Sequence, residues 1–230
     1  MGTQTTGTGS VLAEIAAFAG VADRRVLAAV RQVSRAGFVP QRYVAMADAD
    51  EPIPIGHDQV TSQPSLIAAM VEALRLTGSE KVLEVGTGYG YQTALLSRLA
   101  DSVWSIERFG DLADAARDNL RAAGIVNACV VVGDGSNGLP EAAPYDAVVV
   151  SAAFPTVPAP LVQQLVPGGR LVQPIGPGGD EEVVVFVKGE HDLTRSRVLV
   201  PARFVPLVGA HGYPEDDEPT LPHARSAWRR

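Results

Sequence analysis

Three glycines in the stretch VGTGYG, Gly86, Gly88 and Gly90, stand where an apolar run ends and a helical pattern begins. Glycines so placed let the backbone turn tightly and approach a ligand, because no Cβ stands in the way. A strand, a glycine turn and a helix can serve hydride, phosphoryl or methyl transfer, so spacing and the neighbouring acids must decide among them. The spacing is G-x-G-x-G, not the G-x-G-x-x-G of dinucleotide binders, and no G-K-[ST] follows for a triphosphate. A pyrophosphate would use the helix N-terminus as its anion site. Glu84, just ahead of the turn, would repel such a group, yet it suits an ammonium. Glu107 ends the next apolar run, where a carboxylate can accept both ribose hydroxyls; NAD makes the same demand. Asp134, in VVVGDG, can accept from an adenine amino group while Gly133 and Gly135 keep the backbone close. Acids at three successive strand ends favour S-adenosylmethionine, a sulfonium with an amino acid and no phosphate; NAD is the alternative. Thr87 in the turn and Arg108 beside Glu107 are counted on the same cofactor side.

Methyl transfer from an activated sulfonium asks the protein chiefly for alignment and a suitably desolvated acceptor. Amino groups of nucleobases are commonly held by an Asn/Asp-Pro-Pro-aromatic turn after the fourth strand, and that place reads VVVSAAFP (148–155). No His or acid cluster offers a base for a phenol or ligands for a metal, so no metal is expected. A carboxylate acceptor is ionised at neutral pH and needs no base, only donors to hold it. Thr61, Ser62 and Gln63, in HDQVTSQP, are the candidate donors. On spacing alone the same triplet suits a cap and turn before a helix better than it does a binding site.

The elements that must position these groups follow from periodicity. Runs at 81–85, 103–107, 128–132, 146–150, 169–174 and 183–188 read as strands, with helical patterns at 92–98, 112–123 and 160–165. Such alternation predicts an α/β fold, a doubly wound, mostly parallel sheet, since parallel neighbours need crossover connections. The last pair of runs, EEVVVFVKG and SRVLVPARFVPLVG, has no helix between them and predicts antiparallel strands at one edge. Residues 1–10 read as a flexible start, 11–64 as a helical cap with the acceptor-binding loop, 65–212 as the cofactor-binding core and 213–230 as a polar, flexible tail. The segment 65–76 reads as a helix stopped by Thr77 and Gly78.

With 230 residues and a formal net charge of −7, the chain exerts no general electrostatic pull on nucleic acid or anionic membrane. It shows no secretory pattern and no run of roughly 18 uninterrupted apolar residues, so a cytoplasmic protein without nucleic-acid or membrane partners is expected, with a monomer as the default. Cys129, in ACVVV, has no cysteine to pair with and reads as a small core residue.

The blocks VPQRYVAMADADEPIPIGHDQVTSQPSLIAAM, KVLEVGTGYGYQTALLSRL, SIER, GDGSNGLPEAAPYDAVVVSAAFP, GGRLVQPIG and RFVPLVG, in this order over 39–209, resemble the protein-L-isoaspartate O-methyltransferase family. The resemblance implies a Rossmann-like class I methyltransferase. Such an enzyme moves a methyl group from S-adenosylmethionine to the α-carboxyl of isoaspartyl residues in damaged proteins, releasing S-adenosylhomocysteine. It puts the family's active-site serine on Ser62, which binds or orients the carboxylate. It also puts the cofactor turn on Gly86 and Gly88, the ribose acid on Glu107 and the adenine contacts on Asp134 and Gly135. Family members usually read G-Q-T-I-S-Q-P where this chain has Asp58, Gln59, Val60, Thr61, Ser62, Gln63 and Pro64. The departures at Asp58, which puts a charge beside the acceptor site, Val60 and Thr61 motivate an alternative, a relative methylating a carboxylate of one dedicated peptide or small molecule. His57 could offset that charge. NAD-dependent oxidation and cofactor binding without catalysis are the remaining alternatives.

Overall fold

The computed structural model describes residues 8–177 and 179–215. The chain opens with α1 (Thr8–Phe18) and α2 (Arg24–Gln32). Residues 1–7 lie outside the described residues, whereas 8–10 belong to α1 and correct the expected flexible start. Gly9 there abuts the Arg31 carbonyl of α2, which a Cβ would approach to 2.4 Å. Asp23 caps α2 by accepting from the Arg25 amide at 2.7 Å. Two short 3₁₀ turns (Arg35–Phe38 and Gln41–Met46) lead into an antiparallel hairpin, β1 (Ile53–Gly56) and β2 (Gln59–Thr61). Helix α3 (Pro64–Ala73) follows and ends earlier than its pattern predicts. The Glu80 carboxylate accepts from the amides of Thr77, Gly78 and Ser79, which draws those residues into a turn.

The core alternates as expected: β3 (Lys81–Val85), α4 (Tyr91–Ser97), β4 (Ser102–Glu107), α5 (Gly110–Ala122), β5 (Ala128–Val132), β6 (Tyr145–Val150), α6 (Ala159–Gln164), β7 (Leu165–Ile175), β8 (Glu181–Lys188) and β9 (Leu193–Ala202). The seven strands lie in the order β5-β4-β3-β6-β7-β8-β9. The first five in that order are parallel, and β8 runs antiparallel to β7 and β9. Strand β9 stops at Ala202. The following segment turns back over the sheet, where the Ala153 amide donates to the Val205 carbonyl and the Leu207 amide to the Ala153 carbonyl, each at 2.8 Å.

The two faces of the sheet are covered unequally. One core gathers residues of α1 to α5 over Val82, Val103, Val130, Ala147 and Val149. On the other face Leu83, Ile106, Val148 and Leu171 pack with α6 and the returning segment. That second cover stops short of the edge strand β5, so Cys129 is exposed. This corrects the reading of Cys129 as a core residue: ACVVV is apolar on both faces, but an edge strand has only one of them buried. Tyr213, expected in a loose tail, instead meets Phe154 edge-on with centroids 5.0 Å apart. Residues 216–230 lie outside the described residues. Among the described residues no helix is long and apolar enough to cross a membrane, and no group of three or more His, Cys, Asp or Glu is placed to hold a metal.

Candidate active site

The strand order reverses between β3 and β6, and the chain leaves both strands there. The Gly86 amide donates to the Ile106 carbonyl at 2.9 Å and the Ser151 amide to the Val85 carbonyl at 2.8 Å. A cleft forms beyond the carboxyl ends of the strands, where open α/β sheets bind ligands. Gly86, Glu107 and Ser151 line both of its halves. Thr87 and Gly88 line the half that meets the hairpin, and Arg108 and Gly135 line the other.

Glu107 is held from the main chain. Its Oε2 accepts from the Gly88 amide at 2.8 Å and its Oε1 from the Phe109 amide at 3.1 Å. A carboxylate has about four acceptor sites, so two remain for a ligand's hydroxyls. Gly88 has φ +55, and a Cβ on it would come 3.0 Å from Ile55 of the hairpin. The turn is thus a close-packed wall as well as a conformational necessity. The Thr87 hydroxyl pairs with that of Ser105, and the Arg108 guanidinium lies 4.6 Å from the centre of the Phe109 ring. Both tyrosines of the turn line the cleft, but Tyr91 is packed into the core at 2% exposure.

Three predicted site residues are engaged elsewhere. Glu84 is fully buried beneath the turn, where Gln92 donates to one oxygen and Thr93 and Ser105 donate to the other. It therefore ties β3, β4 and α4 together and does not meet a cofactor's ammonium in this arrangement. Burial pushes its carboxyl up to about 7, against the pull of those donors. Asp134 is likewise occupied. Its Oδ1 accepts from the amide and hydroxyl of Ser136, and its Oδ2 from the Asn137 side chain and the Ala210 amide. All four of its acceptor sites are filled, so no lone pair is left for an adenine amino group. Gly209 makes that approach possible, since a Cβ there would fall 1.9 Å from Oδ1 of Asp134. Gln63 turns away from the cleft to donate to Asp50 and Ser65. The start of α3 is indeed capped, but by Asp50, which accepts from the Ser65 amide at 2.8 Å from fifteen residues upstream.

Thr61 and Ser62 do line the cleft, on the hairpin wall. What fixes them is Arg35, which no motif or spacing singles out. It is 1% exposed, and its guanidinium donates to the carbonyls of Ala47, Ala49, Glu51, Thr61 and Ser62 at 2.9 to 3.5 Å. Burial lowers its pKa to about 10, and Tyr91, Asp50 and Asp48 pull the other way, so it stays charged at neutral pH. The far end of the hairpin is clasped across the cleft. The His57 ring stacks on Phe109 at 4.1 Å, and its Nε2 lies 2.9 Å from the Asp111 carboxylate. That hydrogen bond holds the exposed Asp111 carboxyl below its ordinary pKa. His57 is thus paired with Asp111 and not with Asp58. His57 and Asp58 occupy the tip with φ of +51° and +54°. Two successive left-handed residues make the turn that two-residue hairpins favour, and Asp tolerates that conformation. Asp58 is exposed at this tip, so its charge is solvated. Ser151 was also missed, although its place after the fourth core strand was the available signal.

Residues 9–212 match the family model described as protein-L-isoaspartate(D-aspartate) O-methyltransferase. The chain is 48% identical over 200 residues to a protein-L-isoaspartate O-methyltransferase of Methanoculleus marisnigri, covering 87% of this chain and 90% of that one. It is 51% identical over 198 residues to one of Anaeromyxobacter dehalogenans, covering 85% and 95%. A solved structure named protein-L-isoaspartate O-methyltransferase superposes with a TM-score of 0.78 at 30% identity, over 89% of this chain and 67% of that one.

Proposed function

The chain belongs to the protein-L-isoaspartate(D-aspartate) O-methyltransferase family, and on that premise we propose that its cleft joins a cofactor wall to an acceptor wall. When bound, S-adenosylmethionine supplies an activated methyl group. Glu107, with acceptor sites open to the cleft, takes the ribose hydroxyls, and the turn from Gly86 to Gly88 lets the backbone lie against the cofactor. Thr87, Arg108 and Gly135 complete that side. Ser62 and Thr61 hold the α-carboxylate of an L-isoaspartyl residue by hydroxyl and main-chain donation. That carboxylate is already ionised, so no proton need be removed and no base is assigned. Alignment across the cleft is the chain's main contribution. NAD-dependent oxidation is set aside on family membership, and the exposed position of Asp58 removes the main reason for a dedicated substrate. We further infer a monomer that acts in the cytoplasm, without nucleic-acid or membrane partners, in keeping with the net charge of −7.

One observation carries this reading: the glycine turn, Glu107 and Ser62 line one cleft at the reversal of the strand order. The test is methyl transfer from labelled S-adenosylmethionine to paired peptides that differ in having isoaspartate or aspartate at one position. Labelling of the isoaspartyl peptide alone is expected. Equal labelling of both, or of neither with cofactor binding confirmed, would refute the assignment of the acceptor wall.

A further inference from the structure

The cleft continues past Ser62 into a longer hollow of about 700 Å³ between α3 and β9. Val60 and Ser62 line both spaces, so the hollow is continuous with the acceptor wall. Its middle is apolar, with Leu66 and Ala69 of α3 and Leu199 and Pro201 of β9. Strand β9 is the last of the sheet, so its outer edge has no neighbouring strand. An edge of this kind offers main-chain donors and acceptors to any extended polypeptide, whatever its sequence.

The charges on this hollow are one-sided. Arg197 and Arg203 line it, and among the described residues neither forms an ion pair; Arg203 uses only its Nε, donating to the Gly179 carbonyl. The one acid of the lining, Glu72, is engaged by the amides of Ala22 and Asp23. Arg170, lowered in pKa by burial, also feels Arg75 and Arg197 nearby, so guanidinium groups cluster at this end of a chain whose net charge is −7.

We propose that this groove holds, in extended form, the polypeptide flanking the methylated residue, and that Arg197 and Arg203 make the enzyme favour substrates with an acidic side chain in that flank. The inference rests on the reading of Ser62 as part of the acceptor wall. Main-chain pairing is indifferent to sequence and the apolar floor carries no charge, which leaves the two arginines as the elements that select among charged side chains.

The test is steady-state methylation of isoaspartyl peptides identical except for Glu, Gln or Lys two to four residues to either side of the isoaspartate. On one flank the Glu peptides should show kcat/KM about three- to tenfold above their Lys counterparts, with the ratio shrinking as salt is raised. Arg197→Ala/Arg203→Ala should bring that ratio close to one, while Arg197→Lys/Arg203→Lys retains it. A parent enzyme indifferent to flanking charge overturns the proposal, as does a preference that survives the double alanine variant. Failure to methylate any peptide, with cofactor bound, overturns the acceptor assignment itself, an outcome distinct from equal methylation of all.

Discussion

The two walls of the cleft are built in different ways. The cofactor wall is made where strands end: Gly86 and Gly88 follow β3, Glu107 is the last residue of β4, and Glu107 is fixed by amides of the turns that follow the two strands. The acceptor wall is a two-stranded hairpin outside the main sheet, and remote side chains hold it: Arg35 from below, Asp50 at the start of α3, and His57 to Asp111 at its tip. A wall that the sheet itself positions tolerates loss of a single contact. A hairpin of so few residues is at best marginal alone and depends on its anchors.

The sharpest way to break this contrast is Arg35→Ala, which leaves five main-chain carbonyls without their donor. We expect a loss of about 3 kcal/mol or more in urea denaturation, with turnover falling further than cofactor affinity. Arg35→Lys should recover part of both, and an undiminished stability in the alanine variant would remove Arg35 as the anchor.

Glu84 probes the cofactor wall from beneath. Its folded pKa, about 7, lies above the ordinary 4.5, so the folded state holds more protons than the unfolded state between those values. Its contribution to stability is therefore fully present below about pH 4.5 and is lost as pH rises through about 7. Relative to the parent, Glu84→Gln should gain up to about 3 kcal/mol between pH 4.5 and 7.5, measured by denaturation at each pH. A difference that is flat with pH would show that the carboxyl ionises freely.

Ser62→Ala and Glu107→Ala separate the walls. The first should lower kcat about tenfold with cofactor affinity nearly unchanged. The second should weaken cofactor binding about tenfold or more, as expected for hydrogen bonds to a charged group. Calorimetric titration of S-adenosylhomocysteine reads this split, and equal effects on binding would merge the two walls into one. The smallest effect belongs to His57→Ala. It removes an exposed hydrogen bond to Asp111 and a ring stack at the hairpin tip, so a change of about two- to threefold in KM for peptide is expected. A loss as large as that of Arg35→Ala would mean that the tip, not the base, holds the hairpin.

The strands and their order of chemistry were legible because period-two runs and glycine turns are local signals. So were Gly86, Gly88 and Glu107, whose positions at strand ends are set by the same runs. Glu84 and Asp134 share the spacing of Glu107 and were therefore given similar roles, yet spacing does not say which way a side chain turns. Burial under α4 took Glu84, and the segment returning after β9 took Asp134, with Gly209 allowing the approach. Gln63 is polar and adjoins the acceptor residues in sequence, but Asp50 draws it away.

By itself the sequence determined a doubly wound parallel sheet with an antiparallel edge, the glycine turn beyond its first core strand, and the family to which the chain belongs. These rest on periodicity and contiguous motifs, which operate over a few residues at a time. The tertiary structure alone decided which acids reach the cleft, that Cys129 faces outward, and that Arg35 organises the acceptor wall. Each depends on contacts between segments far apart in the chain, where burial and competition for hydrogen-bond donors choose among side chains that look equivalent in sequence.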